Sequence, residues 1–285
     1  MNSPSPHLFD EVAIVGVGLI GGSIAAAVKQ RGIARNIVGI GRNRERLEAA
    51  QKSGLVDIVS VDVAATGSSD LVVVCTPVDR IAADVRAIAG ASRRKSIITD
   101  AGSVKGAICH DLHGGLRNNS TFIGSHPLAG SEKTGWEHAV ADLFENRLCV
   151  ITPCPEDDRE TVQKVVHFWQ ALGMRTREMS PDEHDRALAI TSHLPHAVAA
   201  ALASMLDTET RDFAATGFRD TTRIAAGDPN IWTGIFLQNA VPVSKQIDVF
   251  IERLTRLRDL TSLQDSDGLH ALLAEAREER QKLAE

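Results

Sequence analysis

An α/β fold, with a parallel sheet covered by helices on both faces and an all-helical domain after it, is predicted by three observations. The β-branched run Val12-Ala13-Ile14-Val15 leads directly into glycines at 16, 18 and 21. Short apolar runs then alternate with alanine-rich stretches as far as residue 178. Beyond that point strand-like runs vanish and long Ala/Leu-rich segments take over. Alternation of this kind implies parallel strands joined by crossover helices.

Taken in order, Val12–Val15 is short and apolar enough to be a strand buried on both faces. Gly16, Gly18 and Gly21 fit G-x-G-x-x-G at the turn into a helix running toward Lys29. The first glycine allows a tight turn, the second a close approach by a pyrophosphate, and the third close helix–strand packing. Asn36–Ile40 reads as a second strand and Arg44–Lys52 as a helix. Asp70–Thr76 is a third strand, stopped by Pro77, and Asp79–Ala89 the next helix. Ser96–Thr99, Thr121–Gly124 and Leu148–Thr152 follow as strands. Ser180-Pro181-Asp182-Glu183 is a good helix start, with a capping residue, a first-turn proline and acids. Helical segments are expected over 181–191, 193–205, 209–226, 229–261 and 268–283, with a domain boundary near residue 178. The domains are therefore 1–178 and 179–285.

The chain has 285 residues, 43% hydrophobic and 24% charged, with a formal net charge of −6. That balance fits an ordinary globular protein of two domains. The negative charge, with no dense basic stripe, excludes a nucleic-acid binder. No apolar stretch reaches the roughly 20 residues of a membrane span. Met1–Phe9 has no basic segment followed by an apolar core, so no secretory leader is expected. The four cysteines form no C-x-x-C pair, which argues against a zinc site or a disulfide framework and for a reducing cytoplasm. No metal site is expected. The chain contains no tyrosine.

The second strand ends Ile40-Gly41-Arg42-Asn43-Arg44, without the carboxylate that takes the ribose hydroxyls in NAD sites. Arg42 and Arg44 could grip a 2′-phosphate instead, so NADP is favoured over NAD. Around it, Gly16, Gly18, Leu19, Ile20, Gly21, Asn43, Thr76, Pro77 and Ser103 are the other candidate cofactor contacts. Three stretches end strands on the expected ligand side: Thr76-Pro77, Asp100 to Lys105, and Ser125 to Gly135. Two more lie in the helical half, Thr191 to His196 and Gly217 to Ala225.

Together these stretches carry a family resemblance. Gly18-Leu19-Ile20-Gly21-Gly22-Ser23, Asp100-x-Gly102-Ser103-x-Lys105, Ser125-His126-Pro127-x-Ala129-Gly130-x-Glu132, Ser192-His193-x-x-His196 and Gly217-Phe218-Arg219-Asp220-x-Thr222-Arg223 occur in this order. The set, spanning about residues 10 to 265, resembles the prephenate/arogenate (cyclohexadienyl) dehydrogenase family. The resemblance implies a Rossmann-type domain followed by a helical dimerisation domain, and hence a homodimer. It also implies NAD(P)-dependent oxidative decarboxylation of prephenate to 4-hydroxyphenylpyruvate, or of arogenate to tyrosine. In some members further domains precede or follow the dehydrogenase; 285 residues are expected to leave room for none.

By the same resemblance His126 is the base that takes the proton of the substrate's 4-hydroxyl, a task suited to a neutral histidine. Ser103 bridges that hydroxyl and the cofactor, although it also reads as the cap of a helix beginning at Val104. Lys105 is ambiguous and reads as a surface residue. Arg223 takes the side-chain carboxylate through its planar fork. Glu132 and Asp220 pair with that arginine, His196 and Ser192 are polar contacts to substrate, and Trp232 lines the pocket. His193, three residues before His196, is the weaker candidate for the same role. Two rival readings remain open: a β-hydroxyacid-type dehydrogenase, which would need a catalytic lysine in the helical half, and a non-catalytic NADP-binding sensor, which would need neither His126 nor Ser103.

Overall fold

The structure is a computed structural model that describes residues 7–113, 115–131 and 133–283. The chain forms two compact units, one running through Asn239 and the other beginning at Ala240. In the first, eight strands make one sheet: β1 (Phe9–Val15), β2 (Ala34–Ile40), β3 (Ile58–Ser60), β4 (Leu71–Val74), β5 (Ile97–Asp100), β6 (Thr121–Pro127), β7 (Leu148–Thr152) and β8 (Arg175–Glu178). Their order is 3-2-1-4-5-6-7-8. The first six are parallel, with Val12 opposite both Ile37 and Leu71. This is the doubly wound dinucleotide-binding arrangement, with strand order reversing between β1 and β4.

The sheet is mainly parallel, as the sequence predicts, and β7 runs antiparallel to β6. A parallel return needs a crossover of a dozen or more residues, usually a helix. Among its described residues the connection here carries no α-helix, only a short 3₁₀ turn at Trp136–His138, and it closes with Leu128 N–H donating to Leu148 O.

The helices of this unit are α1 (Leu19–Gln30), α2 (Arg44–Lys52), α3 (Val78–Ala91), α4 (Gly106–Leu112), α5 (Arg159–Ala171), α6 (Pro181–Leu188), α7 (Leu194–Ala203), α8 (Thr216–Thr222) and α9 (Pro229–Gln238). Strand alternation sorts the core into two layers. Val12 and Ile14 pack with Ile24 and Val28 of α1 and with Val165, Phe168 and Trp169 of α5. Ala13 and Val15 face the other way, toward Ile81, Val85 and Ile88 of α3 and Ile108 of α4. Each fully buried aliphatic side chain contributes about 1.5–3 kcal/mol, so sidedness alone fixes the register of β1.

The compact unit continues past the expected boundary at residue 178. Ile235 and Trp232 of α9 join the layer of α3. The start of α6 is as the sequence predicts: Ser180 and Glu183 form a reciprocal capping box. The segment 181–191, however, is helical only to Leu188, where a π-helical turn (Ala189–His193) leads into α7. Pro195 lacks the N–H that would bond the carbonyl of Thr191, so the wider turn falls where the α ladder is already broken. Of 209–226 only α8 is α-helical, flanked by 3₁₀ turns at Arg211–Phe213 and Arg223–Ala226. The segment 229–261 is divided at Asn239, whose side chain is drawn to Asp185 and His193. The second unit holds α10 (Ala240–Ser262) and α11 (Ser266–Gln281). No helix among the described residues is long and apolar enough to cross a membrane.

Candidate active site

The glycine turn has the geometry its spacing predicts. Gly16 has φ +99°, and a Cβ there would lie 2.7 Å from the carbonyl oxygen of Cys75. A Cβ on Gly21 would overlap the carbonyl oxygen of Gly16. At Gly18, by contrast, an added Cβ would meet nothing within 4 Å. That open space lies at the N-terminus of α1, which no side chain caps. The first N–H groups of the helix, those of Leu19 and Ile20 included, have no intrahelical acceptor. Such a cradle fits the pyrophosphate of a dinucleotide.

Beside it lies a cleft of about 630 Å³ lined by Gly16, Gly18, Arg42, Asn43, Thr76 and Pro77, all named from the sequence. Arg46, Arg80 and Asp62 also line it and were missed. Leu19, Ile20, Gly21 and Ser103 are not in this lining. Arg44 is not in this lining either: its side chain is 64% exposed and lies 4.0 Å from Glu48. Helical periodicity explains the exchange, since Arg46 lies two residues further round α2 and reaches Glu137 at 3.2 Å. Asn43 caps α2, its side chain accepting from Arg46 N–H. The Thr76 hydroxyl is engaged by Asp84 at 2.7 Å. Burial pushes the Cys75 thiol far up, so this cleft cysteine is unreactive.

Three strands along, His126 sits within β6 rather than after it. At about 4.8 Å per strand this is about 14 Å from β1, so only an elongated ligand joins the two places. His126 Nδ1 is 2.9 Å from His184 Nε2, and His184 Nδ1 is 2.7 Å from Asp185 Oδ1. The direction of this chain follows from its end. Asp185 Oδ1 also accepts from the N–H of Lys105 and Oδ2 from that of Gly106, each at 2.8 Å. A carboxylate in that position only accepts, so His184 carries its proton on Nδ1 and accepts at Nε2. His126 therefore donates through Nδ1, which leaves the lone pair on Nε2. Burial first, then the neighbouring His184, Lys105 and His193, hold His126 well below the usual imidazole range. Burial likewise lowers His184, with Asp185 opposing it.

The same carboxylate corrects two expectations. Helix α4 begins at Gly106, not Val104, and its first N–H groups are capped by Asp185 from α6 rather than by Ser103. Ser103 is half-buried in the loop after β5. Lys105, expected at the surface, is fully buried. Its ammonium bonds the Asp100 carboxylate and donates to Ser125 O at 2.9 Å. Asp100 Oδ1 in turn accepts from Ser125 N–H at 3.0 Å. The pair thus grips both peptide groups of Ser125, next to His126. Removing one partner of such a buried pair costs about 3–5 kcal/mol.

On the helical side, His196 stacks on Trp232 at 3.5 Å between centroids and 9° between planes. Burial lowers the His196 imidazole. Ser192 is half-buried in the π turn, and Arg223 and Asp220 are exposed. Arg223 opens the 3₁₀ turn that packs against α7, the helix bearing His196. Arg219 donates to Ala214 O. Glu132 lies outside the described residues.

Fold and cleft together define the class, an oxidoreductase of the doubly wound dinucleotide-binding kind. Residues 24–178 match the family described as prephenate dehydrogenase, nucleotide-binding domain, and residues 180–275 the prephenate dehydrogenase dimerization domain. The chain belongs to the prephenate dehydrogenase family. It is 34% identical to a cyclohexadienyl dehydrogenase of Zymomonas mobilis over 92% of both chains. It is 33% identical to a prephenate dehydrogenase of Bacillus subtilis, covering 96% of this chain and 76% of that one. Among solved structures, the prephenate dehydrogenase of Aquifex aeolicus in complex with hydroxyphenyl propionate and NAD+ superposes with a TM-score of 0.90 at 33% identity, covering 99% of this chain and 100% of that one.

Proposed function

We propose that this oxidoreductase carries out the NAD(P)-dependent oxidative decarboxylation of prephenate or arogenate with His126 as its base. The observation that carries the assignment is the His126–His184–Asp185 chain, which leaves an unprotonated Nε2 on β6, three strands along the sheet from the glycine turn. Gly16, Gly18 and the first turn of α1 hold the pyrophosphate. When bound, the nicotinamide ring supplies the hydride acceptor. His126 Nε2 takes the proton of the ring hydroxyl as that carbon is oxidised. Loss of the ring carboxylate as CO₂ returns an electron pair to the ring, which becomes aromatic, and the oxygen becomes a phenolate. The proton then goes back from His126 to that oxygen, so none is consumed. Burial and the nearby Lys105 disfavour the imidazolium, which makes this return favourable.

Arg223 takes the side-chain carboxylate, with His196, Ser192 and Trp232 around it; Asp220 and Glu132 pair with the arginine. The placement of the Arg223 turn against the helix of His196 supports this reading. Ser103, in the loop between Asp100 and Lys105, bridges hydroxyl and cofactor. Arg42, in the cleft and at the end of β2, favours NADP over NAD. The sequence boundary near residue 178, where the two matched families also meet, divides a cofactor domain from a helical domain through which two chains pair in the cytoplasm. The test is kinetic: both substrates against both cofactors, in wild type and His126→Ala. The variant is expected to lose about 10²–10⁴-fold in kcat while binding the dinucleotide normally. Unchanged turnover rules out the assigned base.

A further inference from the structure

His193, the weaker of the two histidine candidates in its motif, is completely buried in the π-helical turn before α7. Its protonation is legible from its neighbour. Asn239 Nδ2 donates to the backbone carbonyl of Asp185 at 2.9 Å, and a carbonyl can only accept, so the amide cannot be turned round. The same nitrogen lies 3.0 Å from His193 Nδ1. With an N–H pointing at it, Nδ1 must be the lone pair, and the ring proton is on Nε2. That Nε2 is a buried donor without a hydrogen-bond partner among the described residues. Native interiors rarely leave such a group unmatched. Burial drives the imidazole down to about 4, so the group stays neutral in the working range.

The surroundings are those of the active site. Trp232 lies edge-on at 6.3 Å, and on the Trp232 ring stacks His196, whose Nδ1 is the second ring nitrogen here without a partner. Resting on the functional reading above, we propose that His193 is a substrate-binding residue whose Nε2–H donates to a carboxylate oxygen of the bound cyclohexadienyl acid. The chemistry suits an uncharged donor. A cation on the carboxylate that departs as CO₂ would stabilise the reactant more than the transition state, where that charge disperses. A fixed N–H orients the group without that penalty.

The experiment measures binding of prephenate, which carries the departing carboxylate, to the enzyme loaded with the reduced dinucleotide, where no turnover can follow, read by titration calorimetry. His193→Phe is expected to weaken this binding by about tenfold or more while leaving the dinucleotide Kd unchanged. Unchanged affinity in the variant overturns the proposal. Should the variant fail to fold, wild type labelled with ¹⁵N-histidine decides. The His193 Nε2–H resonance is expected to move when prephenate binds beside the reduced dinucleotide; a stationary resonance in the bound enzyme overturns the assignment. A wild-type enzyme that neither binds prephenate nor turns over prephenate or arogenate sinks the functional reading, whereas one that does both beside an unaffected His193→Phe sinks this inference alone.

Discussion

Asp185 accepts from three donors, two peptide N–H groups at the start of α4 and His184 Nδ1. Asp185→Asn turns an amide N–H toward one of these donors, which frees His184 to reverse its tautomer and leaves His126 without a fixed proton. Loss of such an orienting group is expected to lower kcat about 10–100-fold, and the weakened cap to cost about 1–2 kcal/mol. Steady-state kinetics and thermal melts on the same variant separate the two effects. At this scale the pH profile also has a definite sign. A base works only when neutral, and His126 is held below the usual range. The acid limb of kcat/KM therefore falls below pH 6.5, and a limb at or above that value contradicts the burial argument.

At the scale of elements, the proposed preference for NADP is tested at the β2–α2 junction. Arg42→Asp is expected to reduce kcat/KM for NADP relative to NAD by about tenfold or more, and a wild-type enzyme preferring NAD overturns the assignment. Most elements near the glycine turn were legible because their signals are local. Strand β1, helix α2 and strand β7 each combine an apolar pattern with a turn or cap. Strand β8, Arg175–Glu178, was not, since a polar edge strand carries no apolar alternation. The division of helix 229–261 was equally hidden, because Asn239 is pulled by partners 54 and 46 residues away. His126 and the glycines could be named from motifs. His184 and Asp185 could not, because their roles come from long-range pairing, and Lys105, though it stands in a motif, gave no sign of its burial; the Asp182–Arg186 stretch reads simply as a polar helix start. The one available signal was a histidine followed by an aspartate on a capped helix, and spacing alone gives it no partner.

Across the whole molecule, His126, His184, His193 and His196 are all held below their ordinary pKa. A lowered histidine binds its proton less readily folded than unfolded, so stability is lost as pH falls below the unfolded value of about 6.5. For His193 the loss continues to about pH 4. Each such group costs up to about 1.4 kcal/mol per pH unit in that window. Thermal melts combined with sedimentation over this range are expected to show a falling Tm below pH 6.5, and at neutral pH a particle of twice the chain mass. A flat Tm contradicts the first expectation and a monomer the second. A chain that makes tyrosine or its keto precursor yet contains none draws on no tyrosine for its own translation.

The capping of α4 by Asp185 has one more effect. The carboxylate that completes the helix also fixes the proton of the proposed base, so on that reading folding and activation of this corner are a single event. Hydrogen exchange at the amides of Lys105 and Gly106 therefore doubles as a gauge of catalytic readiness, and a local opening there silences the enzyme while the sheet is still intact.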